Sequence, residues 1–349
     1  MQHSYQIDMD LRDAIKALPK AEHHVHLLGS IKPATLMKAI TETGVDSPYD
    51  SIEDIERAFE FQNFAHFISV YKQIIDLVTD ERYFETMTYE LLESSKECNV
   101  KYVELSFSAP DHTLQGLDFE LMMKAIERGI RRGQSDFGVK ADIRIDIVRN
   151  YGLESAMESL DMIENRPKGI VSIDIGGSEK EYPSKPYAEV YNRAREMGLH
   201  TVAHAGEAAG PQSIWDAITY LGVERIGHGI SAIQDEKLMK HLQETGITLE
   251  VCPVSNVRTR VVNSLREHPI RTFFDRGLSL TVNSDDPTFF DTDMNNEYVQ
   301  LHEVLGFTIH ELFQISLNAV EASFIDAETK QQMRREFQND YSKIIDSIE

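Results

Sequence analysis

Eight short apolar or β-branched runs, each followed by a longer amphipathic stretch, set the tightest limit on how this chain can fold. The runs cover residues 21–27, 100–107, 141–148, 169–175, 200–205, 224–230, 248–251 and 278–283. Between them, residues 82–97, 117–132, 187–197 and 212–221 place apolar residues three or four apart, the spacing of a helix with one buried face. A last barrel helix is expected over 308–323 and a further helix from 327 onward. Strands that alternate with helices imply a parallel sheet with crossover helices, and eight such strands close into a barrel. The expected fold is an α/β (β/α)8 TIM barrel with extra helices between the first two strands and at the C-terminus. No low-complexity tract, like-charge block or Pro/Ser-rich linker divides the sequence, so residues 1–349 read as one domain.

Residues 31–80 are long for one connection and carry Phe59, Phe61, Phe64, Phe67 and Tyr71. They read either as a helical subdomain packed on the barrel or as a lid over its mouth, because such barrels carry function on loops at the C-terminal ends of their strands. Lys plus Arg total 35 against 58 Asp plus Glu, a formal charge of −23. A surface of that sign repels phosphate backbones, so nucleic acid is not the expected partner. Cys98 and Cys252 stand far apart with no C-x-x-C pair, which fits a reducing compartment. The first twenty residues are polar and charged, without a signal-peptide core. No stretch reaches the roughly 18 apolar residues of a membrane span. A cytoplasmic protein with a small-molecule partner is the expectation.

Strand after strand ends in groups suited to metal binding or proton transfer. The first reads Glu22-His23-His24-Val25-His26. Side chains alternate along a strand, so His24 and His26 share a face while His23 points outward under a helix. The fifth ends His204-Ala205-Gly206-Glu207, where Gly206 permits a sharp turn that brings His204 and Glu207 to one place. The sixth ends Gly227-His228-Gly229, two glycines that imply close approach of backbone or ligand. The eighth ends Asn283-Ser284-Asp285-Asp286, and paired carboxylates beyond an apolar strand are costly unless a cation or substrate uses them. Several imidazoles with a carboxylate suit zinc, although cobalt, iron or manganese accept the same donors.

At these residues the sequence resembles the adenosine deaminase family. The resemblance rests on LPKAEHHVHLLGS (18–30), VELSFSAP (103–110), IDIGGSE (173–179), HAGEAAGP (204–211), RIGHGI (225–230), VCPVSNVRT (251–259) and LTVNSDDP (280–287). It implies one Zn2+ per chain held by His24, His26, His204 and Asp285. It implies catalytic roles for Glu207, facing N1 of a purine, and His228, attending the attacking water. Gly177, Asp286 and His26 would face the substrate, with Gly177 toward N3 and Asp286 toward N7. Attack at C6 of an aromatic ring is hard unless N1 is protonated at the same moment, so Glu207 is expected as the acid with a raised pKa.

Leu28 stands where the family shows an acidic residue, and Ser106 stands where an arginine is common. The implied reaction is hydrolytic deamination of adenosine or a closely related adenine nucleoside to the 6-oxo product. The alternatives are free adenine or a 5′-modified adenosine such as 5′-methylthioadenosine or aminodeoxyfutalosine. The SNV-x-T…HP wording leans toward nucleosides and Asp111-His112-Thr113 toward adenine. A binuclear amidohydrolase would need a bridging lysine at the fourth strand's end, where none precedes Lys180. A purine-binding barrel without catalysis would show loss of Glu207 or a metal ligand, and all are present.

Overall fold

The computed structural model describes residues 10–164 and 169–348, so residues 1–9 of the polar N-terminal stretch lie outside the described residues. Eight strands run in order as one parallel set: β1 (Lys20–His26), β2 (Val100–Phe107), β3 (Lys140–Val148), β4 (Ile170–Gly176), β5 (His200–Ala205), β6 (Arg225–His228), β7 (Thr248–Val251) and β8 (Leu280–Val282). The ring closes where the strands are shortest. Asp285 N–H donates to the His24 carbonyl (3.0 Å), and His26 N–H donates to the Asp285 carbonyl (2.8 Å). This is the (β/α)8 barrel expected from the alternating pattern. None of the described helices is long and apolar enough to cross a membrane.

The inner face departs from the branched aliphatic filling usual in such barrels. Register places Arg144 beside Ser172, Asp146 beside Asp174, and Gly227 beside Glu250. These side chains therefore share the interior with those of His24 and His204. Arg144 donates to both oxygens of Glu250 (2.7 and 2.8 Å) and to Asp174 (3.1 Å). Arg225 lies 2.8 Å from Glu250 and donates to Glu104. Every member is buried. Buried ions cost several kcal/mol each unless paired, so the mutual pairing is what allows a charged floor beneath the strand ends.

Helices cover the outside. Arg82–Glu97 and Phe119–Phe137 pack closely because Gly129 and Gly133 present no side chain to Thr88 and Leu92, where an added Cβ would sit 2.6 Å from each. His23 points outward as expected, buried with Nε2 2.9 Å from Ser323 Oγ at the end of helix Ile309–Ala322. The last helix spans Ala327–Asp346.

His112 is also turned into the core, with its ring 4.9 Å from that of Phe84. Burial lowers its pKa to about 4, below the value near 6.5 of an unfolded chain. The unfolded state therefore binds the extra proton first. This group's contribution to stability is full above pH 6.5 and declines as pH falls toward 4, by ~1.4 kcal/mol per pH unit. Urea denaturation of His112→Phe between pH 4.5 and 7 is expected to show a slope shallower by about one proton. An unchanged slope would place the titrating group elsewhere.

Candidate active site

The strand ends converge as their sequence implies. On β1, His24 and His26 each hold Nε2 3.3 Å from Asp285 Oδ1. His24, His204, His228 and Asp285 offer ligand atoms that all lie within 4.8 Å of one another. That group contains His228 where the expected ligand set has His26, so five side chains meet at this point. Alternation alone would aim His228 away from the interior, since Gly227 faces inward. His228 (φ 60°) and Asp285 (φ 64°) both take the left-handed backbone conformation, which turns their side chains into the cluster. Gly227 leaves room for it, because a Cβ there would lie 2.9 Å from His24 Cε1.

Carboxylates orient three of the rings. His24 Nδ1 lies 3.0 Å from Glu250, His26 Nδ1 3.2 Å from Asp146, and His204 Nδ1 3.1 Å from Asp174. A carboxylate only accepts, so the Nδ1 atoms of His24 and His26 carry protons while their Nε2 atoms face Asp285. His204 Nδ1 lies beside Asp174 without hydrogen-bond geometry. His24 Nε2 is buried without a hydrogen-bond partner. Burial by itself would lower the pKa of His24, but the carboxylates of Asp285 and Glu250 on either side of the ring outweigh it and raise the value to about 9. His26 is raised in the same way by Asp146 and Asp285. The surrounding negative charge thus favours a cation here, either protons on these rings or a divalent metal in their place. Three imidazoles with one carboxylate are a donor set that fits the metal.

Glu207 is placed by the turn at Gly206 expected from the sequence, held by a carboxylate that the sequence did not single out. The Glu179 carboxylate accepts from the N–H groups of Gly206, Ala208 and Ala209, at 2.9 Å for the last two. The Arg149 guanidinium donates to the His204 carbonyl at 2.8 Å. Glu207 Oε2 then lies 3.8 Å from His228 Nε2. Burial, with Asp285 and Glu179 adding negative charge, holds the Glu207 carboxyl well above the usual carboxylate range. Asp286 is buried too; burial and then Asp285 push it up to about 8.

Asp286 owes its position to Gly29, where a Cβ would fall 1.9 Å from Asp286 Oδ1. Gly29→Ala is expected to displace that carboxyl and lower kcat/KM by roughly 10²-fold, the cost of an ångström-scale misplacement. Thermal melting should show the fold retained. Near-normal kcat/KM would remove Asp286 from the site.

The cluster opens on a cavity of about 420 Å3 lined by His26, Asp146, Gly177, His204, Glu207, His228, Asp285 and Asp286. Its other wall is helix Phe64–Leu77, which contributes Phe64, Phe67, Ile68, Tyr71, Lys72 and Ile75. Aromatic contacts tie that region to the segment after Asp286, with Phe59 4.5 Å from Phe289 and Phe67 5.1 Å from Phe290. Residues 31–80 therefore both pack on the barrel and wall the mouth. A cleft of about 860 Å3 beside it shares Phe64, Ser178, Glu179 and Glu207. A larger one, about 1250 Å3, touches none of the cluster.

The adenosine deaminase family profile matches residues 19–340. The chain belongs to the adenosine deaminase family. It is accordingly a hydrolytic deaminase, an enzyme that cleaves a C–N bond. Among similar proteins, the aminodeoxyfutalosine deaminase of Streptomyces avermitilis is 40% identical over 95% of this chain and 93% of its own length. The adenine deaminase of Vibrio parahaemolyticus is 36% identical, covering 92% of this chain and 95% of its own. Among solved structures, an amidohydrolase from Burkhoderia ambifaria with bound Zn superposes with a TM-score of 0.90 at 25% identity, over 100% of this chain and 96% of that one. The family match covers each strand end that contributes to the cluster.

Proposed function

We propose that this enzyme hydrolyses the 6-amino group from an adenine nucleoside modified at its 5′ end, giving the 6-oxo purine and ammonia. The observation that carries the reading is the two-faced cavity, polar at the barrel floor and apolar along helix Phe64–Leu77. At about 420 Å3 it lies in the range that encloses an elaborated ligand. A bare base would leave the wall of Phe64, Phe67, Ile68 and Ile75 without a partner. Leu28, in place of the family's acidic residue, is buried in the core. No acid at that position receives a 5′-hydroxyl. The name of the Streptomyces relative supports a modified nucleoside, so this reading has more behind it than unmodified adenosine. Free adenine is the second reading, favoured by the Vibrio relative and by Asp111, which accepts from Tyr151 (2.8 Å) inside the cavity.

His24, His26, His204 and Asp285 would hold one zinc ion, a reading supported by the unpartnered buried Nε2 of His24 and by the zinc in the Burkhoderia structure. A divalent ion there supplies the Lewis acidity that makes water a nucleophile near neutral pH. The chain's own residues do the rest. Glu207, kept protonated by burial, gives its proton to N1 as C6 is attacked, and the carboxylate it leaves takes one proton of the attacking water. The second proton of that oxygen passes to the amino nitrogen as the C6–N bond breaks and ammonia departs. Asp286, also protonated, donates toward N7, and the N–H of Gly177 lies on the same cavity wall for N3. His228, beside Glu207, holds the attacking oxygen in line. The apolar wall excludes bulk water.

The test is a panel of adenine, adenosine, 2′-deoxyadenosine, 5′-methylthioadenosine and aminodeoxyfutalosine, with ammonia release and loss of the amino-purine absorbance followed together. The expected order puts the 5′-modified nucleosides above adenosine and adenosine above adenine. Adenine as the best substrate would overturn the 5′-modified reading and support the second.

A further inference from the structure

Four histidines meet at the cluster, and only three have a carboxylate behind them. The fourth, His228, has an amide: Asn256 Nδ2 lies 3.2 Å from His228 Nδ1. Asn256 Oδ1 in turn lies 3.1 Å from His268 Nε2. His268 Nδ1 lies 3.2 Å from the backbone nitrogen of Ile270, which donates to it. Asn256 and His268 are both buried.

This chain has one consistent direction. A backbone N–H can only donate, so His268 Nδ1 must accept and carries no proton. A neutral imidazole keeps its proton on the other nitrogen, here Nε2. Burial lowers the pKa of His268 to about 3, so the ring is neutral. Its Nε2–H then needs an acceptor, which makes the facing atom of Asn256 the oxygen. The amide NH2 is left pointing at His228 Nδ1, which must accept. The proton of His228 therefore lies on Nε2, toward Glu207 and Asp285.

We propose that His268 is a positioning residue that acts through Asn256 to fix the His228 proton on Nε2. The relay sorts four rings that crowd one point into two kinds. His24, His26 and His204 have Nδ1 beside a carboxylate, which leaves Nε2 as the atom for a cation, whereas His228 offers an N–H at Nε2 and has no lone pair to give there. His228 is thereby kept out of the ligand set despite lying within 4.8 Å of His24, His204 and Asp285. It meets the attacking oxygen as a hydrogen-bond donor. The same logic gives a role to the Asn256 and His268 of the SNV-x-T…HP stretch, which the strand-end reading left without one.

The proposal rests on the deaminase reading only for its kinetic consequence, and the tautomers can be read without substrate. In metal-free protein labelled with ¹⁵N histidine, long-range ¹H–¹⁵N spectra should show His228 and His268 protonated on Nε2. Signals are assigned by single substitutions of His228 and His268. A proton on His228 Nδ1 in the wild-type protein would overturn the relay, whatever the substrate proves to be.

Asn256→Asp is nearly isosteric and replaces the amide by a pure acceptor. It should move the His228 proton to Nδ1 and lower kcat about 10²-fold, with KM and metal content close to wild type. His268→Gln retains an N–H donor for Asn256 Oδ1 and should keep most of the activity, whereas His268→Leu should not. Equal losses in the two His268 variants, or an unmoved His228 signal in Asn256→Asp, would reduce His268 to a packing residue.

Discussion

Glu207→Gln is expected to lower kcat by about 10²–10⁴-fold, the share of a barrier that a positioned acid supplies, with fold and metal content retained. The carboxyl is buried, and Asp285 and Glu179 add negative charge beside it. Each effect disfavours ionisation, so it arrives at N1 with its proton. Glutamine preserves the shape and a hydrogen-bond donor but has no proton to transfer. The pH profile gives a second readout. For an acid with a raised pKa the protonated form is active, so wild-type activity should fall as pH rises through that pKa. The residual activity of the glutamine variant should lack this alkaline limb. Near-normal turnover of Glu207→Gln at pH 7 would assign the proton to another group.

Asp285→Asn should have the larger effect on metal retention. Its Oδ1 lies 3.3 Å from Nε2 of both His24 and His26, and its Oδ2 accepts from Ser255 Oγ at 2.6 Å. Asparagine keeps the outline and the Ser255 contact but removes the negative charge and replaces one oxygen with an NH2 that cannot ligate. Loss of outer partners alone typically costs about 10–100-fold in metal affinity, and removal of a direct ligand should cost more. The expected result is protein purified with little metal, with ammonia release restored only partly by excess zinc. Full metal content and full activity would show that the carboxylate is no ligand.

The sequence made the barrel legible because β-branched runs and helical spacing are local signals. Helix Arg82–Glu97 and strand β2 have the bounds that their patterns imply. The misses have local causes. The run at 224–230 is strand only over Arg225–His228, because Gly229 turns the chain at φ 69°. The helix read over 117–132 continues to Phe137, because Gly129 and Gly133 are there for close helix contact rather than to break the helix.

At the site, His24, His204, Glu207, His228 and Asp285 could be found because they stand at or just beyond strand ends, Glu207 and His228 beside glycines. Asp146, Asp174 and Glu250 were missed although each interrupts an apolar strand with a charge at the period of one face. Their meaning depends on closure: Glu250 meets His24 across 226 residues of chain, a pairing that no local spacing encodes. Glu179 lay within a family-like segment, but its function of holding the Gly206–Ala209 turn is a matter of three backbone hydrogen bonds.

The most direct measurement is metal content against activity in one preparation: chelated protein titrated with zinc, with bound metal counted and ammonia release followed on the best panel substrate. One zinc per chain restoring full activity, with His24→Ala and His204→Ala failing to retain it, is the expected result. Activity that survives chelation, or that requires two metals per chain, would contradict a single ion held by His24, His26, His204 and Asp285.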